Sequence, residues 1–289
     1  MARLLAPLLA TLALAAHAAP LKMENVTGPL HVIYGQGGNI GVLQSDRGFL
    51  LIDDQYAPAT EAIRAQVASL GKESIRFVLN THWHQDHTGG NEHMGQAGAV
   101  IIAHDKVRQR LSADQFLSFF NKTITASPDI ALPVVTFSRD IRLHLGTTVE
   151  VLHVAHAHTD GDAMVFFPDL NAVHMGDTYF AGMFPFIDLD HGGHIDGMIA
   201  AAEQVLARAD EQTRIIPGHG PVSDKKALAD YLYMLKRARE RIQVLMAQGK
   251  SLEEIIKAKP LKDFGRFGGG FVSMEQMTTF VHQSLQTTQ

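Results

Sequence analysis

The chain has 289 residues, a formal net charge of −5 and an apolar fraction of 46%, so it is long enough to bury one large core or two small ones. Its mildly acidic balance argues against nucleic-acid binding, which normally requires a basic surface. It contains no cysteine, which excludes a disulfide framework and any thiolate metal ligand. Its 16 histidines are numerous and unevenly distributed.

The N-terminus has the pattern of an export signal. Arg3 precedes an apolar run over residues 4–16, and small residues around Ala18 follow at cleavage-site spacing. The run is shorter than the roughly 20 apolar residues that span a bilayer, so a cleaved signal is favoured over a membrane anchor. We predict a signal peptide over residues 1–19 and one domain over residues 20–289. The expected location is periplasmic or secreted, without a stable membrane anchor after cleavage.

The remaining chain alternates between strand-like and helix-like patterns. Apolar or alternating runs predict strands over residues 29–36, 40–44, 48–53, 75–80, 99–103, 147–153, 163–167, 172–175 and 213–216. Helical spacing of apolar residues predicts helices over residues 57–70, 91–96, 105–120, 195–209, 224–248 and 274–286. Two β-rich halves with helices outside indicate an α/β fold arranged as a four-layer αββα sandwich.

The most informative motif is the segment His82-x-His84-x-Asp86-His87, directly after a predicted strand. Neutral imidazole and carboxylate are ligands that suit zinc. His82 and His84 alternate along the chain and can face one point, while Asp86 and His87 can face a second point after the chain turns. A lone histidine in a polar loop would bond to backbone and water, but this density of ligand-type residues predicts a site for two metals.

Three further ligand-type residues follow the same rule, since each lies at a strand end among glycines. They are His158, Asp177 and His219. Strand ends along one edge of a sandwich can converge on a common cleft. We therefore expect these side chains to meet the histidine motif in space.

The order and framing of these residues resemble the metallo-β-lactamase superfamily, and the resemblance covers essentially all of residues 20–289. It implies the αββα fold, with the site at one edge of the sheets. The implied ligands are His82, His84 and His158 for the first metal, Asp86, His87 and His219 for the second, and Asp177 as a bridge between them. The Asp bridge is similar to that of glyoxalase II and the lactonases of the superfamily.

Two positions have close competitors in the sequence. The resemblance implies that Asp53 orients a metal ligand without binding the metal itself. Asp53 is preferred to the adjacent Asp54 because it directly ends an apolar run. His158 is preferred to His156 because the Thr-x-Gly-Asp sequence after it resembles the family pattern.

This set of candidate ligands predicts a zinc-dependent hydrolase of a small-molecule substrate. Two Zn²⁺ ions are expected, and iron or manganese also suits histidine and carboxylate ligands. Two metals about 3.5–4 Å apart can share a water and lower its pKa towards ~7. The hydroxide so formed attacks a carbonyl, and Asp86 is placed to relay a proton.

The substrate is predicted to be a β-lactam, which would make the chain an antibiotic-resistance enzyme. The alternatives are a lactone, another ester or a thioester, and, more remotely, an iron-dependent oxidoreductase on the same scaffold. No glutathione-binding C-terminal region is recognisable, which argues against a glutathione thioester, as does the predicted export.

Substrate contacts are harder to predict than metal ligands. The apolar loop after Asp177 contains Tyr179 and Phe184, which are predicted to contact substrate, and the alternative is that this loop packs as core. Trp83 is expected to pack beneath the histidine loop. The segment over residues 265–271 is expected to form a flexible loop near the cleft.

Overall fold

The computed structural model describes residues 21–286, so the predicted signal peptide lies outside the described residues. The strands are β1 (Lys22–Thr27), β2 (Leu30–Tyr34), β3 (Ile40–Leu43), β4 (Phe49–Ile52), β5 (Ile75–Leu79), β6 (Val100–His104), β7 (Gln115–Leu117), β8 (Lys122–Ile124), β9 (Val135–Phe137), β10 (Asp140–His144), β11 (Thr148–Val154), β12 (Asp162–Phe167), β13 (Ala172–His174) and β14 (Arg214–Ile216). The α-helices are α1 (Thr60–Ala68), α2 (Gln85–Thr88), α3 (Asn91–Gln96), α4 (Asp105–Leu111), α5 (Ile195–Arg208), α6 (Lys225–Ala247), α7 (Leu252–Ala258) and α8 (Met274–Ser284).

Two sheets form the middle of the molecule. The first has the strand order β1-β2-β3-β4-β5-β6-β9, and the second has the order β10-β11-β12-β13-β14. Strands β4, β5, β6 and β9 run parallel to one another, as do β13 and β14. The carboxyl ends of neighbouring parallel strands lie at the same edge of their sheet, so residues that follow these strands are brought close together.

Strand β4 shows why the sheets stack. All four of its residues are buried, and successive side chains point to opposite faces of the sheet. Leu50 and Ile52 join the core between the two sheets, while Phe49 and Leu51 join a core beneath α1 and α3. Each such side chain contributes about 1.5–3 kcal/mol when it is fully buried. A strand that is apolar on both faces requires cover on both.

The outer face of the second sheet is covered in the same way by α5, α6 and α8. Met198 of α5, Leu235 of α6 and Val281 of α8 pack in one cluster with Val173 and Ile215 of the sheet. The layers therefore run helices, sheet, sheet, helices. The predicted α/β fold, a four-layer αββα sandwich, is confirmed.

One predicted helix is wrong over half its length. The apolar spacing of residues 105–120 predicts a single helix, but α4 ends at Leu111 and the chain then forms the separate hairpin β7–β8. Leu117 and Ile124 of this hairpin are buried in the same cluster as Trp83. Packing against the histidine loop therefore overrides the local helical pattern.

Several other short elements were not predicted from the sequence, namely the strands β1, β9 and β10 and the helices α2 and α7. Short edge elements carry few apolar residues, so their periodicity is weak. Over residues 21–286, the structure contains no helix with the length and apolar character needed to cross a membrane.

Candidate metal centre

Most of the candidate site residues follow parallel strands. Asp53 follows β4 and His82 follows β5, while Asp177 follows β13 and His219 follows β14. His158 lies in the turn between β11 and β12. The two sheets present these ends at the same edge, which is where open parallel sheets commonly bind ligands.

Three histidines form a buried cluster, which we call the buried triad: His82, His84 and His158. Their ring nitrogens lie within 4.8 Å of one another, and His84 Nδ1 is 2.8 Å from His158 Nε2. His82 Nε2 is buried without a hydrogen-bond partner among the described residues. An unpaired buried nitrogen is costly, so the arrangement indicates that a partner normally occupies this point.

A chain of hydrogen bonds fixes which nitrogen of His82 faces the centre. The Thr81 hydroxyl donates to Asp53 Oδ2 at 2.7 Å, and its oxygen lies 3.0 Å from His82 Nδ1. Because the hydroxyl proton is used on Asp53, Oγ1 accepts the Nδ1 proton of His82. The lone pair on His82 Nε2 is then left for a cation.

The other two rings of the triad are held by one segment, Phe186 to Asp188. His158 Nδ1 donates to the Phe186 carbonyl at 2.9 Å, and His84 Nε2 is 2.8 Å from Asp188 Oδ2. Asp188 is buried, and its carboxylate also contacts His191 Nδ1 at 2.8 Å. These partners turn the lone pairs of His158 Nε2 and His84 Nδ1 towards the centre, as partners of metal-binding histidines generally do.

A second group, which we call the cleft cluster, consists of Asp86, His87 and His219. His219 Nε2 is 3.3 Å from Asp86 Oδ2 and 3.4 Å from His87 Nε2. His87 Nδ1 is 2.8 Å from Asp53 Oδ2, so Asp53 contacts both Thr81 and His87. Asp53 has φ +66°, a left-handed conformation that such a shared contact stabilises.

Asp177 lies between the two groups. Its Oδ2 is 3.6 Å from His158 Nε2 and 3.3 Å from His219 Nε2, and its Oδ1 is 3.1 Å from His87 Nε2. The backbone that approaches it is glycine, because a Cβ on Gly218 would clash with Asp177 Oδ1. The structure thus brings all seven candidate ligands to one place.

Electrostatics favour a cation at this point. Burial lowers the pKa of His82 well below its usual range and that of His158 to about 4, so both rings are neutral and available as ligands. Burial alone would raise the pKa of the Asp177 carboxyl, but the charges of His219 and His87 hold it well below its usual range. Neutral imidazoles and ionised carboxylates at one site fit divalent zinc, iron or manganese.

The two competing residues lie elsewhere. The Asp54 side chain accepts a hydrogen bond from the Gly90 backbone at 3.0 Å. Among the described residues, no hydrogen bond joins this side chain to a histidine nitrogen. His156 is exposed, and its Nδ1 lies 3.0 Å from the Gly192 carbonyl.

The predicted substrate contacts need correction. Tyr179 and Phe184 are both 1% exposed and belong to the core under α6 and α8, and the Tyr179 hydroxyl is bonded to Ser223. Neither lines the cleft above the metal centre. The loop therefore packs as core at these two positions, and only Phe186 at its end reaches the cleft.

Several residues at the centre or in the cleft wall were not predicted from the sequence as site residues. Asp188 ends a short apolar run just as Asp53 does, and the same criterion would have found it. Phe120 and Lys122 line the cleft but were assigned to a helix or left unassigned. Phe271 also lines the cleft and falls in the segment that was expected near it. No sequence signal separates such wall residues from ordinary core.

Comparison with known proteins agrees with this geometry. The model of the metallo-beta-lactamase superfamily matches residues 33–219. The chain is 33% identical over 181 residues to a hydroxyacylglutathione hydrolase of Methylobacillus flagellatus, a match that covers 61% of this chain and 62% of that protein. It is 30% identical over 150 residues to a hydroxyacylglutathione hydrolase of a Polaromonas species, and that match spans 48% of the relative's length.

Solved structures show the same fold. The sec-alkylsulfatase Pisa1 from a Pseudomonas species superposes with a TM-score of 0.70 at 17% identity, over 91% of this chain and 50% of that one. A metallo-beta-lactamase from Pontibacter korlensis superposes with a TM-score of 0.59 at 20% identity, over 75% of this chain and 99% of that one. The resemblance seen in the histidine motif is confirmed, and the chain belongs to the metallo-β-lactamase superfamily.

Proposed function

We propose that this chain is an exported, dinuclear, zinc-dependent hydrolase of small carbonyl compounds, and that a β-lactam is its substrate. The observation that carries the proposal is the convergence of the buried triad and the cleft cluster on Asp177 at the floor of an open cleft. Water adds across the acyl bond: a new C–O bond forms, the bond to the leaving nitrogen breaks, and that nitrogen takes a proton.

The residues present suit a pair of divalent cations. His82, His84 and His158 would hold one cation, the cleft cluster would hold the other, and Asp177 would lie between them. Such a pair would supply Lewis acidity and would lower the pKa of a bound water towards about 7.

Asp86 is the side chain best placed to move a proton. Burial opposes its ionisation, but the charge of His87 lowers the pKa of Asp86 to about 2, so it is a carboxylate at neutral pH. Its side chain is 22% exposed and lines the cleft. A carboxylate that faces both the centre and the cleft can accept a proton from water and pass it to the leaving atom.

The proposal is tested on the purified chain from residue 20 onwards, loaded with zinc. We expect turnover of a chromogenic cephalosporin and of a carbapenem, and loss of this turnover on chelation. The control is His82→Ala, which removes a triad ligand. Turnover no greater than that of the control would contradict the proposal. Mass spectrometry of the N-terminus after expression in a Gram-negative host tests the export signal.

A thioester or lactone is the second candidate, because a relative with 33% identity is named a hydroxyacylglutathione hydrolase. Turnover of an acylglutathione or an acyl-homoserine lactone, without lactam turnover, would select it. Bound iron with oxygen consumption and no hydrolysis would point to the remoter alternative, an oxidoreductase.

A further inference from the structure

A cleft of about 400 Å³ opens above the metal centre, with Asp86, Asp177 and His219 among its lining residues. This volume lies in the range of about 300–1,000 Å³ typical of small-molecule sites. The aromatic and aliphatic part of the lining consists of Tyr56, Leu117, Phe120, Ile124, Phe186 and Phe271. The metal centre therefore lies at one end of a chamber whose walls suit an apolar group.

Three aromatic rings from separate parts of the chain form one wall. The Phe120 ring centroid is 5.5 Å from that of Phe186 and 6.5 Å from that of Phe271. Phe186 in turn lies 5.8 Å from the His84 ring, so the wall continues up to the buried triad. Phe120 and Phe271 remain 50% and 51% exposed. Clustered exposed aromatic surface of this kind commonly marks a binding site.

The hairpin β7–β8 that carries Phe120 is held in position. The Ser118 backbone N–H donates to Asp190 Oδ2 at 2.7 Å. The neighbouring Phe119 ring packs 5.1 Å from Phe186 and 5.3 Å from Phe280. A wall that is already ordered lowers the entropy cost of binding a ligand.

One positive charge stands at this wall. Lys122 is the single lysine or arginine that lines the cleft within the described residues. Its Nζ donates to Gln85 Oε1 at 3.2 Å, which is a neutral partner. Within residues 21–286, no carboxylate lies within 4.0 Å of this ammonium group as an ion-pair partner. Lys122 lines the same cleft as the candidate ligands Asp86, Asp177 and His219, so its charge faces a ligand bound in that cleft.

We propose that the cleft selects substrates that combine an aromatic or branched apolar group, packed on Phe120, Phe186 and Phe271, with an oxyanion bound by Lys122. The inference rests on the proposed hydrolase function and specifies the substrate class of the same site. A charge-assisted hydrogen bond to the oxyanion is stronger than a neutral one, and the aromatic wall gains from covering exposed rings. Lys122 and Phe120 thereby act as specificity-determining residues that the hairpin brings to the site.

The first test measures binding, so that it does not depend on turnover. The metal-loaded chain is titrated calorimetrically with phenylpropyl sulfonate and with the uncharged phenylpropyl methyl sulfone. We expect the sulfonate to bind about tenfold more tightly, which corresponds to ~1.4 kcal/mol. Lys122→Met is expected to abolish this preference. The matched control Lys72→Met changes an exposed lysine outside this cleft and is expected to retain it.

The second test concerns the aromatic wall. Phe116 and Phe120 lie on the same hairpin and are equally exposed, at 51% and 50%, but only Phe120 lines the cleft. Phe120→Ala is expected to weaken both probes about five- to tenfold, as loss of ~1–1.4 kcal/mol implies. Phe116→Ala is expected to leave both affinities unchanged. Because all these side chains are exposed, we expect the variants to keep the wild-type melting temperature.

The outcomes separate the two proposals. A sulfonate preference that survives Lys122→Met shows that the anion binds the metals instead, and it overturns the inference. Equal affinity for the two probes, or equal losses in Phe116→Ala and Phe120→Ala, also overturns it. If binding follows the prediction but no acyl substrate is hydrolysed, the proposed function fails and the ligand class stands.

Discussion

The buried triad and the cleft cluster are built from the same residue types but in different surroundings. His82, His84 and His158 are 1%, 7% and 0% exposed, whereas the side chains of Asp86 and His219 are 22% and 20% exposed. The triad is largely enclosed and only His84 of its members reaches the cleft, whereas in the cleft cluster Asp86 and His219 line the cleft and His87 is buried. We therefore expect the triad to hold a metal more tightly than the cleft cluster, in which Asp86 and His219 face the cleft.

The physical basis of this difference is the set of partners behind the rings. Each triad histidine has its outer nitrogen bonded to an internal acceptor, namely Thr81 Oγ1, Asp188 Oδ2 or the Phe186 carbonyl. In the cleft cluster His87 Nδ1 is likewise bonded to Asp53 Oδ2, and only the His219 ring differs, because it stacks on Phe180 at 5.2 Å between centroids. Bonds to internal acceptors fix both the tautomer and the rotation of a ring, whereas stacking fixes its plane alone.

The largest expected effect is that of metal removal. Chelation is expected to abolish hydrolysis and to lower the free energy of unfolding by about 4 kcal/mol when the free metal had been near 1,000 times its Kd. In a cobalt titration of the metal-free chain, the first equivalent is expected to enter the buried triad and to give the absorption of an all-histidine site. A melting temperature that chelation leaves unchanged would contradict the assignment of the centre.

Single ligand deletions sharpen the comparison. His158→Ala is expected to bind at most one metal per chain and to bind it weakly, while His219→Ala is expected to keep one tightly held metal in the triad. Both are expected to lose more activity than the ~10–100-fold typical of substitutions behind the ligands. Metal content by plasma mass spectrometry after dialysis is the measurement. Equal metal content in the two variants would contradict the expected difference in metal affinity between the buried triad and the cleft cluster.

Asp188 tests the role of the partners behind the rings. Asp188→Asn leaves an amide that cannot accept from His84 Nε2 and His191 Nδ1 as the carboxylate does. We expect metal affinity at the triad to fall about 10–100-fold, measured by competition with a chromogenic chelator. The control is Asp46→Asn, because Asp46 is exposed and remote from the triad. The same affinity in both variants would remove Asp188 from the centre.

The smallest effect concerns pH in the metal-free protein. Burial lowers the pKa of His158 to about 4, so its contribution to stability is present above 6.5 and is lost as pH falls towards 4. For His219, burial lowers the pKa, but the charge of Asp177 outweighs burial and raises the pKa to about 9. The contribution of His219 is therefore complete below 6.5 and is lost as pH rises through 9.

Histidine NMR titrations of the metal-free chain measure these two pKa values directly, with His158→Asn and His219→Asn to assign the signals. Urea unfolding across the same pH range measures the stability. If both histidines titrated near 6.5, the two halves of the centre would not differ in charge as described.

The candidate metal ligands and the order of the layers could be predicted from the sequence. Cation chemistry restricts ligands to a few residue types, and the strand-end positions of His82, His158, Asp177 and His219 place those types at one edge of the sheets. The β4 pattern likewise required cover on both faces. Such features are local, because residue type and spacing alone express them.

Which aromatic residues line the cleft, and which residues support the candidate ligands, became visible in the folded structure alone. Phe184 and Phe186 are two residues apart and chemically identical, yet Phe184 packs in the core and Phe186 lines the cleft. Residues 115–120 have a helical pattern, yet residues 115–124 form a hairpin because Leu117 and Ile124 pack with Trp83. Apolar side chains gain free energy from any burial, so their sequence pattern does not specify which surface they cover.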